Sequence, residues 1–93
     1  MTFEWDEEKN TINIAKHGIP FNLAALVFLD EKHIEMFDKK HSDYEDRWNI
    51  IGQAGKILFV VYTERKENTI RIISARKATK EEINEYYKNY DIR

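Results

Sequence analysis

Residues 70–79 read IRIISARKAT, and the fold turns on how this stretch is taken. Ile70, Ile72 and Ile73 are β-branched, which suits a pleated, packed strand. Arg71, Arg76 and Lys77 place three cations within the same short segment. Strand alternation predicts Arg71 and Lys77 on one face and Arg76 on the other. Thr79-Lys80-Glu81-Glu82 has capping-box spacing, so a helix is expected directly after the strand. A strand that ends in guanidinium and ammonium groups is a natural place to hold a phosphate or a carboxylate.

Working outward, residues 57–63 (ILFVVYT) are apolar on both faces, as in a central strand. Residues 64–68 turn the chain back between these two strands. Residues 47–51 predict another strand, with Trp48 and Ile50 on one face and Arg47 and Asn49 on the other. Gly52-Gln53-Ala54-Gly55 is expected to be the hairpin turn that follows. Alternation at residues 33–38 predicts a further strand, and the polar stretch 39–46 a loop.

Toward the N-terminus, Phe3-Glu4-Trp5 alternates like a short edge strand. Asp6 is the expected N-cap of a first helix, with Glu7 and Glu8 in its first turn, Lys16 and His17 in its last and Gly18 closing it. Ile12 and Ala15 are expected to face inward. Pro20 suits the start of a second helix whose buried stripe is Phe21, Ala24, Ala25, Phe28 and Leu29. The last helix carries Ile83, Tyr86, Tyr87 and Tyr90 at helical spacing, a core face with wet hydroxyls. The predicted order is β-α-α-β-β-β-β-α. The predicted class is α+β, a small antiparallel sheet with helices packed mainly on one face.

At 93 residues the chain fits one domain, 1–93. A hydrophobic content of 42% with 13% aromatic residues argues against disorder. Without cysteine there is no disulfide, zinc-thiolate site or thiol nucleophile, in keeping with a reducing compartment. The acidic opening MTFEWDEEKN predicts no signal peptide, and no apolar run is long enough to predict a membrane span. A cytoplasmic protein is the expectation. The net charge of −2 hides an asymmetry: residues 1–46 hold 5 Lys/Arg against 11 Asp/Glu, and residues 47–93 hold 10 against 6. The basic second half suits an anionic ligand, while the overall acidity argues against a sequence-blind binder of duplex DNA acting alone.

Motifs narrow the chemistry further. His17, His33 and His41 are widely spaced, and no HExxH is present, so no metal site is predicted. Phosphate-binding glycine loops and a GxSxG elbow are also missing. What remains is cations with histidine. Arg47, Arg65, Arg71 and Arg76 come from strands or turns of one sheet, where residues distant in sequence can converge; a lone arginine is otherwise a surface residue or an ion-pair partner. His17, beside Lys16 at a helix end, can serve as a general base or acid, or simply satisfy terminal carbonyls. His41, in the polar loop, is the other histidine that could reach such a site.

Taken together, the motifs resemble the BrnT family of bacterial toxins. The matching pieces are Phe3-x-Trp5-Asp6-x-x-Lys9, Asn13-x-x-Lys16-His17-Gly18, and Phe21 with Ala24 and Phe28. They continue as Asp38, His41-Ser42, Glu45-x-Arg47, Gly52 and Val60-Val61-Tyr62-Thr63-Glu64, and close on residues 70–79 with Glu82 and Tyr86. The likeness runs in order over nearly the whole chain, and the KHG and RIISAR segments together make it specific. One departure is Lys77, where the family commonly has a second arginine; lysine keeps the charge and loses the bidentate fork.

The resemblance implies a RelE-like fold and a metal-independent endoribonuclease, without cofactor, in a type II toxin–antitoxin pair. It implies a BrnA-like ribbon-helix-helix antitoxin as partner and contact with operator DNA only through the toxin–antitoxin complex. RNA would be cleaved by attack of the neighbouring 2′-hydroxyl, with Arg71 and Arg76 stabilising the phosphorane, His17 as base or acid, and Lys16 or Arg47 assisting. Lys77, Arg65 and His41 would bind RNA. The competing expectation is a non-catalytic binding module of an operon-encoded repressor complex, whose basic strand end holds an acidic partner or an operator phosphate.

Overall fold

In the computed structural model, which describes residues 1–90 (Tyr90 by its backbone alone), eight elements follow the predicted order. They are β1 (Thr2–Glu4), α1 (Glu7–His17), α2 (Phe21–Ala24), β2 (Ile34–Phe37), β3 (Trp48–Ala54), β4 (Lys56–Arg65), β5 (Thr69–Lys77) and α3 (Lys80–Tyr90). Local signals place the helix ends. The Asp6 carboxylate accepts the Lys9 N–H at 3.0 Å, and Gly18, at φ 72°, donates its N–H to the Ile14 carbonyl at 2.8 Å. At α3 the capping box is reciprocal: Thr79 N–H donates to Glu82 at 2.8 Å, and Glu82 N–H donates to the Thr79 hydroxyl at 3.2 Å.

The strands form one sheet in the order β1-β5-β4-β3-β2. Three neighbouring pairs are antiparallel, but β1 runs parallel to β5, so the sheet is mixed rather than wholly antiparallel. The first helices carry the chain away from β1, and it returns to that edge only after three further strands. The helices also divide between the faces. α1 and α2 cover Ile50, Leu58, Val60, Tyr62, Ile72 and Ala75, whereas Ile83 and Tyr86 of α3 pack with Ile34, Ile51, Ile57 and Phe59 on the opposite face. Alternation along β3 and β4 makes both faces apolar, so each needs a cover.

Three expectations about burial change with the geometry. In α1, Ile12 and Ala15 point to solvent, and the fully inward residue is Asn13. Its amide donates to the carbonyls of Ile19 at 2.9 Å and Ala75 at 2.8 Å, and its oxygen accepts the Ala75 N–H at 3.2 Å. After α2 the chain tightens into a 3₁₀ turn over Ala25–Leu29. A three-residue period then selects Phe21, Ala24 and Val27 for the core and leaves Leu29 77% exposed. Gly52 lies inside β3, not in the turn: a Cβ there would stand 3.0 Å from both the Cβ and the carbonyl oxygen of Val27. The turn itself is made at Gly55, at φ 76°.

Tyr86 is fully buried, and its hydroxyl donates to Asp30 at 2.6 Å, tying α3 to the loop before β2. Burial works against ionising Asp30, but the Tyr86 hydroxyl, the N–H groups of Gln53 and Lys32, and His33 together hold its carboxyl below the usual range. Tyr87 is half-exposed, and the side chain of Tyr90 lies outside the described residues. No single helix among the described residues is long and apolar enough to cross a membrane.

Candidate functional site

One irregularity in β5 decides where its cations go. Val61 pairs with Ser74, but the next residue of β4, Tyr62, pairs with Ile72, so Ile73 is an extra residue in β5. Ile72 and Ala75 therefore enter the same core. Beyond the bulge the alternation is inverted relative to a regular strand. Arg71, opposite Thr63, and Arg76, opposite Phe59, share the α3 face; Lys77, opposite Leu58, lies on the α1 face. The predicted grouping of Arg71 with Lys77 is thus reversed, and the strand end holds no single cluster of all three.

On the α3 face each arginine is engaged. Arg76 forks onto Glu82, with bonds of 2.8 and 2.9 Å, and stacks 4.1 Å over the Phe59 ring. The bonds to Arg76 hold the Glu82 carboxyl below its usual range despite partial burial, and the same pairing raises Arg76. Arg71 donates to Glu4 at 2.6 Å, which ties β5 to β1. Arg47 and Arg65 lie 3.8 and 3.4 Å from the one carboxylate of Glu45. His41 and Asp38 are paired at 3.0 Å beside a one-turn 3₁₀ segment, Lys39–His41. His41 and Arg47 line one hollow of about 200 Å³, in company with Asp43 and Glu45.

The α1 face is different. The last turn of α1 presents Lys16 and His17 where the helix dipole favours cations. The three-bond attachment of Asn13 to β5 and to the segment after α1 fixes that turn against the sheet. His17 borders two hollows. The larger, about 490 Å³, lies between the α1–α2 connection and the β3–β4 turn; its rim carries His17, Lys56 and Lys77, and its floor is Ile19, Leu23, Leu26, Ala54 and Leu58. The smaller, about 200 Å³, is bordered by Lys9, Asn13, Lys16, His17 and Ser74. No residue lining either hollow is acidic.

Lys56 pairs with Ala54, and Lys77 pairs with Leu58, so the two lysines stand on the same face of adjacent strands. Hydrogen-bonding contact with Lys77 and repulsion from its charge push Lys56 below the usual lysine range. The arrangement can hold phosphate or carboxylate groups on ammonium donors, with an imidazole in reach of whatever is held.

Of the predicted site residues, His17, Lys16 and Lys77 therefore come together. Arg71 and Arg76 share the other face, and Arg47, Arg65 and His41 lie around the loop after β2. Sequence reasoning missed Lys9 and Lys56. Lys9 was within reach, since it precedes Lys16 by two helical turns and so shares its face. Among the described residues no three His, Asp or Glu side chains converge as a metal-binding group.

A family model described as the ribonuclease toxin, BrnT, of type II toxin–antitoxin systems matches residues 5–82. The chain belongs to the BrnT family of ribonuclease toxins. Membership brings an antitoxin partner and an RNA target. The chain is also similar to the Brucella abortus ribonuclease toxin BrnT, known from a crystal structure, at 29% identity and a TM-score of 0.66. The match covers 86% of this chain and 99% of the Brucella BrnT chain. A search of curated proteins found no significant match. The BrnT match reaches from Trp5 to Glu82, so it includes both hollows around His17 together with Arg47, Arg65, Arg71 and Arg76.

Proposed function

We propose that this BrnT-family chain, with a fold of the RelE type, is a metal-independent endoribonuclease whose reacting surface is centred on His17. The observation that carries the reading is the carboxylate-free cation surface formed by Lys9, Lys16, His17, Lys56 and Lys77. RNA phosphates need positive potential, and here it is not already answered by internal acids. At the arginines it is, by Glu4, Glu45 and Glu82.

In the reaction an imidazole nitrogen of His17 takes the proton of an RNA 2′-hydroxyl. The 2′-oxygen bonds to the adjacent phosphorus, and the bond from phosphorus to the 5′-oxygen of the next nucleotide breaks. That oxygen leaves with a proton drawn from water, giving a 2′,3′-cyclic phosphate and a 5′-hydroxyl, and His17 returns its own proton to solvent. The nucleophile is tethered to its target, so positioning supplies much of the rate. Lys16 and Lys77 stabilise the charge on the phosphorane, and Lys9 and Lys56 hold flanking phosphates. Arg71 and Arg76 act on the fold, through β1 and α3. The partner is a BrnA-like ribbon-helix-helix antitoxin, and operator DNA is met only through the complex of the two.

The test is cleavage of end-labelled RNA by purified protein in excess EDTA. Wild type should cleave and leave cyclic phosphate ends, and His17→Ala should slow the reaction by ~10²–10⁴-fold, the usual reach of general acid–base catalysis. Arg76→Ala, at a temperature where it is folded, should cleave at close to the wild-type rate. Ends with a 3′-hydroxyl, or a His17→Ala variant at full rate, would overturn the mechanism. No cleavage of naked RNA or on translating ribosomes would favour the non-catalytic binding module.

A further inference from the structure

The two hollows that meet at His17 are chemically unlike. The smaller is polar, with Lys9, Asn13, Lys16 and Ser74 around it. The larger has an aliphatic floor of Ile19, Leu23, Leu26, Ala54 and Leu58. Apart from the His17 imidazole at its rim it offers no aromatic ring on which a base could stack, and it has no side-chain amide or hydroxyl to read a base edge, the usual means of seating an unpaired nucleotide. Aliphatic floors suit aliphatic anchors, and Leu26 already stands 47% exposed at its edge.

We propose that this larger cleft is where the antitoxin docks: an acidic, amphipathic segment of the partner places aliphatic side chains between Leu23, Leu26 and Leu58 and sets carboxylates on Lys56, Lys77 and His17. Charge complementarity selects such an occupant. The rim holds three cationic or cationisable groups and no acid, and two of its ammonium groups crowd each other. A carboxylate between Lys56 and Lys77 relieves that repulsion. At about 490 Å³ the cleft accepts one or two branched side chains. Because His17 borders both hollows, a segment seated here also covers the imidazole, so neutralisation is direct competition with RNA. The competition rests on the functional reading above; the docking does not.

The test uses the full chain and, as probe, the antitoxin of its own type II pair, titrated against wild type, Leu26→Asp and Leu26→Met, with Leu26→Gln as a second polar variant should the aspartate impair folding. Melting curves establish that each variant is folded. Leu26→Asp should weaken binding of the probe at least tenfold, while Leu26→Met stays within threefold of wild type and Leu26→Asp cleaves RNA like wild type. Binding of Leu26→Asp within threefold of wild type overturns the proposal, as does a wild type that does not bind the probe. A folded Leu26→Asp that loses RNA cleavage while keeping the partner overturns it in favour of a nucleobase in the cleft. If wild type never cleaves RNA but Leu26→Asp still loses its partner, the ribonuclease reading fails and the docking site stands.

Discussion

A single amide, that of Asn13, holds α1 to the sheet. Its three bonds reach a turn six residues away and a strand sixty-two residues away, inside a site that is almost dry. Asn13→Ala strands the groups it serves, and the expected loss is ~2–4 kcal/mol by urea denaturation, since each buried polar group left unpaired costs about 1–3 kcal/mol. Gly52 is the complementary case, where any side chain is too much. Gly52→Ala brings a Cβ to 3.0 Å from Val27 and should cost about 1–3 kcal/mol by the same measurement. The Arg76–Glu82 pair makes stability depend on pH. The folded Glu82 carboxyl titrates below its unfolded range, so its contribution is complete above that range and is lost as pH falls through the folded value. Urea titrations at neutral and acid pH should show an acid loss in wild type that is smaller in Arg76→Gln. Asp6, Gly18 and the Thr79–Glu82 box were legible in the sequence because a cap is decided by neighbours within a turn. Asn13 was not, because its partners are remote and a polar residue on a weakly amphipathic helix carries no inward signal.

Elements show where periodicity helps and where it misleads. Strand and helix identities followed from alternation and spacing, and their order was predicted without error. The pattern failed wherever its period changed inside an element. In the segment after Pro20 a 3.6-residue stripe gave way to a three-residue one, so Val27 took the place expected for Leu29. In β5 the bulge at Ile73 exchanged the faces of everything after it. Counting by twos from Ile70 therefore grouped Arg71 with Lys77 and dispersed the surface that is proposed to act. Deleting Ile73 should restore regular pairing with Ile72, Ser74 and Ala75 still opposite Tyr62, Val61 and Val60, so that both Ile72 and Ala75 stay in the core. The penalty is expected to be small beside a total stability of ~5–15 kcal/mol, seen as a cooperative melting transition that survives the deletion.

Across the molecule, charge is sorted by face more than by half of the chain. The basic second half was legible in the sequence, but Arg47, Arg65, Arg71 and Arg76 are balanced by Glu4, Glu45 and Glu82, and two of these acids come from the acidic first half. The unbalanced surface instead joins Lys9, Lys16 and His17 of that acidic half to Lys56 and Lys77. RNA binding should follow it. With three phosphates neutralised, the log–log dependence on salt has a slope of about −2 for a single strand, so going from ~50 to ~200 mM salt should weaken binding roughly fifteen-fold. Lys16→Ala should reduce the slope by about 0.7, and an unchanged slope would put the phosphates elsewhere. Hairpin neighbours were readable from short turns between strands, whereas nothing local announces that β1 will lie beside β5.

That long-range closure has a consequence for synthesis. On a translating ribosome α1 emerges early, but the strand it docks on is made some sixty residues later, roughly 3–12 s at ordinary elongation rates. Until then His17 and Lys77 cannot stand together, and the cleft between them does not exist. With the reacting surface proposed above, a nascent toxin of this design should be harmless for nearly its whole time of assembly and arm only when its last strand slides in beside its first.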